Sequence, residues 1–358
     1  MNSLSTSGKK DKFLEDAKTA RLERQKEKAI QESAVKVQSL VRGFLCRTRI
    51  SKGILVEVNR FTGHGHDQEE KIPIQEAFTW IRKFLLFIPV KRHRNEFDGI
   101  CRFILSSILS PSCPASESYT AILRNNKNKD LVQVWIQQLN KILSLCSTLL
   151  RELRPELTGD HKSMMLYLNV ILTMTNPQVW KLNPEGKAAM TVVSCKMMPE
   201  LVSKGLLVSL QSILKKGLCR SRLCLNKTEL SAMMAISLRP LVMFKSDTQI
   251  KLFLLHIFSV PALTFHLYLL APDSLTLMTS SLPVKDVCSF LSNDQNLLVL
   301  FNALEANYGL CLLANIVHWI CLDVKNISAN LAQLMVSPLN FRLLFLIFFD
   351  TENYPILP

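Results

Sequence analysis

Glycine is scarce: 11 in 358 residues, less than half the usual share of ~7%. No stretch alternates apolar and polar residues for long enough to make a β-strand. With leucine, lysine, glutamate and serine abundant, the shortage points to helices with short joints rather than hairpins. The phosphate-cradling GxGxxG and Walker A patterns, the GxSxG turn and paired carboxylates in an acid/base setting are also missing. Nothing therefore supports catalysis by this chain alone, and no cofactor is expected. None of the ten cysteines forms a CxxC pair, and most sit in aliphatic runs such as "ILSLCSTLL", where cysteine behaves as a small hydrophobe. The start, "MNSLSTSGKKDK", has no apolar signal-peptide core. Reduced thiols in a cytoplasmic protein are the expectation, which leaves the sequons at Asn226 and Asn326 idle.

Apolar residues make up 48% of the chain, ample for a core. The net charge of +14 is uneven: residues 1–52 hold 13 Lys and Arg against 6 Asp and Glu, half of the excess. A basic head of this kind asks for an acidic partner.

Residues 1–10 are expected to be disordered and residues 11–60 to form a basic helix. Within it, Ile30, Ala34, Val37, Val41, Phe44, Leu45 and Thr48 recur at helical spacing. The polar run between Lys18 and Lys28 cannot bury a face and should project into solvent. Residues 61–73 read as a loop. Residues 61–336 as a whole read as a helical, partner-recruiting region, with helices recurring every 15–25 residues. Breaks are expected near Pro184, Pro199, Gly217, Pro240, Pro261, Pro272 and Pro283, and the clearest loop is 110–118. No fixed repeat period emerges, so the predicted class is all-α: a projecting basic helix followed by an irregular, solenoid-like stack.

The segment 37–50, "VQSLVRGFLCRTRI", matches a whole IQ motif at Val37, Gln38, Arg42, Gly43, Arg47 and Ile50. Each position has a role in a helix gripped by a calmodulin-type EF-hand protein. Val37, Val41, Phe44 and Leu45 form the stripe that enters an apolar groove. Gln38 hydrogen-bonds backbone at the groove edge. Gly43 clears space for the partner, despite a helix penalty of ~1 kcal/mol. Arg42 and Arg47, roughly 140° apart around the helix, offer forked donors to an acidic rim. The competing reading is a basic amphipathic helix docked on its own domain.

Weaker candidates are His64, His66 and Asp67 in "GHGHD", the pair Cys219 and Cys224, and "KRHR" at 91–94. The first two lack the companion ligands of a metal site, so no metal is expected, and "KRHR", which could touch phosphate, reads as an exposed helix end. Residues 252–272 lack a formal charge over 21 positions. Pro261, His256 and His266 interrupt them, so two core helices meeting at Ser259, Val260 and Pro261 are expected rather than a membrane span.

Several stretches resemble the amino-terminal half of a HECT-type ubiquitin-protein ligase, in the IQ-containing B/C pair of that family: "VRGFLCRTRI", "CRFILSSILS", "LVQVWIQQLNKIL", "LRPELTGD", "LYLNVILTMTNPQVWK", "SLRPLVM" and "LLHIFSVPALTFHL". The resemblance implies a helical region that binds calmodulin and positions protein substrates, ahead of a HECT domain that carries the catalytic cysteine. Only the IQ positions carry over residue by residue. The HECT domain is absent from this chain, so no cysteine here is expected to form a ubiquitin thioester. Near Ser337 the resemblance stops, and the atypical tail 337–358 reads as a truncated isoform or a gene model running into non-coding sequence. A nucleic-acid-binding or membrane-associated helical protein is the alternative. Against nucleic acid, acidic residues are mixed among the basic ones and aromatics are not interleaved with them.

Overall fold

The computed structural model describes residues 5–63, 72–124, 129–219, 223–244, 246–282, 284–304 and 306–322. Among the described residues there are α-helices and short 3₁₀ or π turns but no strand, as the glycine-poor composition predicts. Of the loop expected at 61–73, Phe61 and Thr62 instead close the first helix, and residues 64–71 lie outside the described residues, as does the tail at 337–358.

The first helix, α1 (Ser5–Thr62), is far longer than the stretch that touches the rest of the chain. It takes in residues 5–10, where the sequence suggests disorder, and runs past Ile50 to a glycine in left-handed conformation, Gly63 at φ 59°. Only its last turns bury apolar side chains: Ile54 and Val58 are in the core, with Leu55 and Phe61 packed against it. They meet α2 (Ile74–Phe87) and α3 (Arg94–Leu109). Phe61 stacks edge-on against Phe103 of α3, ring centres 5.0 Å apart.

Next come α4 (Lys129–Glu152), α5 (Thr158–Met174), α6 (Pro184–Ser203), α7 (Leu206–Leu218) and α8 (Lys227–Met243). The packing is irregular, as expected from the lack of a period. α4 touches α5, α6 and α7, whereas α8 lies on α5 and α6. A tryptophan pair marks the centre, Trp135 and Trp180, edge to face at 5.5 Å. Each indole N–H has a buried carbonyl: Trp135 donates to Tyr119 at 3.2 Å and Trp180 to Thr173 at 2.8 Å.

Cations from later segments close the ends of earlier helices. The Lys181 ammonium donates to the carbonyls of Ser107, Ser110 and Cys113 at 3.2, 2.6 and 2.8 Å, at the end of α3. Lys216 does the same for Arg151 and Leu153 after α4, at 3.0 and 3.1 Å. Arg239 donates to Leu172 at 2.7 Å and to the Thr175 hydroxyl after α5. The last turn of a helix leaves carbonyls without partners and carries the negative end of the dipole, so a cation there satisfies both.

Some expected breaks are not breaks. Pro199 lies inside α6 and Pro240 inside α8, each in the closing turn, where a missing N–H removes a single helix bond. Pro184 and Pro272 do mark breaks, each opening a new helix, where a proline nitrogen leaves nothing unsatisfied. Near Gly217 a break does fall, since α7 ends one residue later at Leu218, and a side chain at the glycine would come within 2.4 Å of Leu225. Pro283 lies outside the described residues.

The uncharged run 252–272 breaks as expected. It passes from α9 (Asp247–Phe253) through a π turn to a gap at 259–262, and then to α10 (Leu263–Leu270). The two limbs are bent by 73°, and no single described helix is long and apolar enough to cross a membrane. The array continues through α11 (Pro272–Ser281), α12 (Val284–Leu291), α13 (Asp294–Ala303) and α14 (Ala306–Leu322). Buried Asn315 of α14 mends the gap: its amide donates to Phe258 and Val260 at 2.8 and 2.7 Å, and its oxygen accepts from the backbone and hydroxyl of Thr264 at 3.1 Å each.

Candidate functional site

The matched segment 37–50 lies on α1 beyond the docked root, and its apolar side chains have no cover from the stack. Val37, Val41, Phe44 and Leu45 are between 50% and 62% exposed, and Ile50 is 45% exposed. An apolar residue every third or fourth position builds the helix, and no proline interrupts it. At ~100° per residue, Val37, Val41, Phe44, Leu45 and Thr48 share an arc about 100° wide. Arg42 and Arg47 flank that arc, and both are exposed. Gly43 and Ile50 fall on the far side. A side chain added at Gly43 would meet only the flexible end of Arg47, at 3.3 Å, so the helix itself does not require a glycine there. Thr48 returns its hydroxyl to the Phe44 carbonyl at 2.9 Å, inside the helix. Gln38 is exposed beside the arc.

The azimuth of this arc is set by the root. Ile54 and Val58, buried against α2 and α3, sit on an arc turned by roughly 110° from the exposed stripe. The stripe therefore points to solvent while the helix stays anchored. A reading in which the basic helix folds onto its own domain along 37–50 needs those side chains buried, and they are exposed.

Elsewhere two polar clusters are taken up by structural bonds. Buried Asp98 accepts from the Tyr167 hydroxyl at 2.5 Å and from Ser163 at 2.8 Å. Arg94 reaches Tyr167 at 3.3 Å and Asp160 at 3.5 Å, and Asp160 also accepts from the Arg154 backbone at 2.9 Å. Burial, and next the Asp98 carboxylate, push the Tyr167 hydroxyl well above the usual phenol range. A phenol held neutral with both Asp98 oxygens occupied is a strut between α3 and α5, without a free base. Glu229 is buried within a capping box with Asn226 and bonded to His161 at 2.7 Å. The same Asn226 is the residue of one sequon, so its side chain is already committed to starting α8.

Among the described residues no group of three His, Cys, Asp or Glu is placed to hold a metal ion. His64, His66 and Asp67 lie outside the described residues. Cys219 is a free thiol held above its ordinary value, chiefly by burial, and Cys224 is half-buried. "KRHR" opens onto α3: Lys91 pairs with Glu152, His93 lies 3.4 Å from Glu96, and Arg94 belongs to the strut described above. Sequence reasoning missed that strut and the three helix-capping cations, whose partners are more than sixty residues away along the chain.

The chain is similar to the human Ubiquitin-protein ligase E3B, 34% identical over 311 residues, covering 86% of this chain. The mouse protein of the same name is 33% identical over the same length. The chain spans 29% of the length of these curated relatives. Both carry the name of the B member of the pair to which the sequence stretches point. No family model matches the chain, and no solved structure does.

Proposed function

We propose that the chain is the calmodulin-binding and partner-recruiting region of a HECT-type ubiquitin-protein ligase, working in the cytoplasm. One observation carries the reading: a full IQ pattern lies on a helix whose apolar stripe stands free of the stack that anchors it. Similarity to a ubiquitin-protein ligase over 86% of the chain supports the wider assignment.

The binding follows helix-in-groove physics. Val41, Phe44 and Leu45 enter an apolar groove, and burying them gains about 1.5–3 kcal/mol for each large side chain. Arg42 and Arg47, on opposite flanks of the stripe, meet carboxylates on both sides of an enclosing partner. Gln38 takes up backbone at the rim. Gly43, which the helix does not need for its own packing, lets the partner approach the backbone from the far side. The anchored root at Ile54 and Val58 then holds the bound regulator at a set place beside the stack, whose outer surfaces receive protein substrates.

Retention of the whole chain on immobilised calmodulin, with and without calcium, tests the binding. Gln38→Ala, Arg42→Glu and Phe44→Asp should each weaken it by about tenfold or more. Equal retention of all three variants would end the reading. Steep loss of RNA or DNA binding with salt, unchanged in those variants, would favour the nucleic-acid alternative. Incubation with E1, E2 and ubiquitin should yield no reducible ubiquitin adduct on this chain.

A further inference from the structure

We propose that residues 33–56 of α1 also form a docking surface for an anionic lipid bilayer, with the helix lying flat and its apolar stripe turned into the interface. The charge along this helix is sharply divided. Residues 11–32 hold six Lys and Arg against six Asp and Glu. Residues 33–56 hold Lys36, Arg42, Arg47, Arg49 and Lys52 and no acidic residue, with Glu32 and Glu57 just outside either end. All five cations are exposed, and Glu57 is paired with Arg60. The uncompensated charge therefore coincides with the stripe that the stack leaves uncovered.

The cations also sit in the right places. At ~100° per residue, Lys36 and Arg47 fall together on one border of the stripe, and Arg42 and Arg49 on the other. Leu40, 70% exposed, widens the apolar arc on the Arg47 side. A helix in a bilayer interface needs this order. Its apolar side chains sink below the headgroups, while long cations on both borders lay their stems along the surface and reach phosphate with their charges. The docked root leaves the stripe accessible to a flat surface, because Ile54 and Val58 hold the stack on an arc turned well away from it.

The choice of occupant follows from charge and from the stripe together. A second copy of the helix would set cation against cation on both borders, which opposes self-pairing. A nucleic acid matches the charge but has no use for Val37, Val41, Phe44 and Leu45. A bilayer containing phosphatidylserine answers both features, since its surface attracts each Lys and Arg and its acyl boundary takes the stripe. The same side chains are assigned above to the calmodulin groove, so bilayer and regulator would exclude one another. The inference needs only the stripe and its charge, and it does not rest on that assignment.

The test is cosedimentation of the full chain with vesicles of phosphatidylcholine, alone or with about one third phosphatidylserine, at roughly 0.1 M salt. The expected result is at least about tenfold tighter binding to the phosphatidylserine vesicles, lost as salt rises to roughly 0.5 M. Arg42→Glu with Arg47→Glu should abolish it, and Phe44→Asp should weaken it about tenfold, with helical content by circular dichroism unchanged. Arg42→Lys with Arg47→Lys should bind as the unaltered chain does, because a lipid surface reads charge and not the guanidinium fork. Equal binding to both vesicle types, binding to neither, or binding that survives both the charge reversal and Phe44→Asp would overturn the inference. Tighter binding to RNA than to these vesicles, unchanged by Phe44→Asp, would replace the bilayer with a nucleic acid. A chain retained on immobilised calmodulin that ignores the vesicles would lose this inference and keep the proposed function.

Discussion

Thr62 sits against Gly99 so closely that a side chain added to the glycine would come within 2.8 Å of the threonine Cβ. This contact seats the end of α1 on the middle of α3, one residue from the Phe61–Phe103 pair. The placement of the exposed IQ stripe depends on this seat, because the root's rotation decides where residues 37–50 point. Gly99→Ala should therefore destabilise the protein by about 1–3 kcal/mol, the usual cost of overpacking. A lower midpoint in thermal or urea unfolding checks it, and an unchanged midpoint would mean that α1 shifts freely on α3.

Gly43 separates a role in the helix from a role in binding. Its added side chain would touch only the end of Arg47, so Gly43→Ala should leave stability unchanged or raise it by up to ~1 kcal/mol. The same change should weaken calmodulin binding in a titration, since the cleared space is then filled. Improved binding would mean that the glycine serves neither purpose.

Asn315 holds the gap at 259–262 with bonds to Phe258, Val260 and Thr264. Asn315→Leu keeps the volume but leaves buried backbone groups without partners, at about 1–3 kcal/mol for each one orphaned. Calorimetry should show a marked drop in the unfolding temperature. Amide exchange should rise first at 258–264.

Two histidines link stability to pH. Burial, and next the charge of Lys215, hold the His256 imidazole below its ordinary value, while its Nδ1 lies 3.1 Å from the Gln211 amide oxygen. Burial also lowers His266. The folded chain thus takes up these protons at lower pH than the unfolded chain. Their stabilising contribution is complete above the ordinary histidine value of ~6.5 and declines as the pH falls below it. Unfolding midpoints measured from pH 7.5 to 5.5 should drop, and the His256→Gln, His266→Gln double variant should flatten that slope. An equal slope in the double variant would place the titration elsewhere.

Much of the architecture was open to reading along the chain. The stripe from Ile30 to Thr48 announced a helix, the loop at 110–118 was marked by its prolines and serines, and Pro261 within an uncharged run announced a bent pair of core helices. Proline was a poorer guide near helix ends. Pro199 and Pro240 sit in closing turns where little is lost, and the chain's local order does not reveal which carbonyls later find a cation.

By itself the sequence determined the all-helical class, the basic head and the IQ spacing, because helical periodicity and side-chain chemistry are properties of near neighbours. Whether the stripe at 37–50 would be buried or free could not be decided there, since the same amphipathic pattern serves a docked helix and a projecting one. Packing at Ile54, Val58, Thr62 and Gly99 decided it. Those contacts join residues far apart in the chain, and they stop short of the motif, leaving its apolar face to solvent.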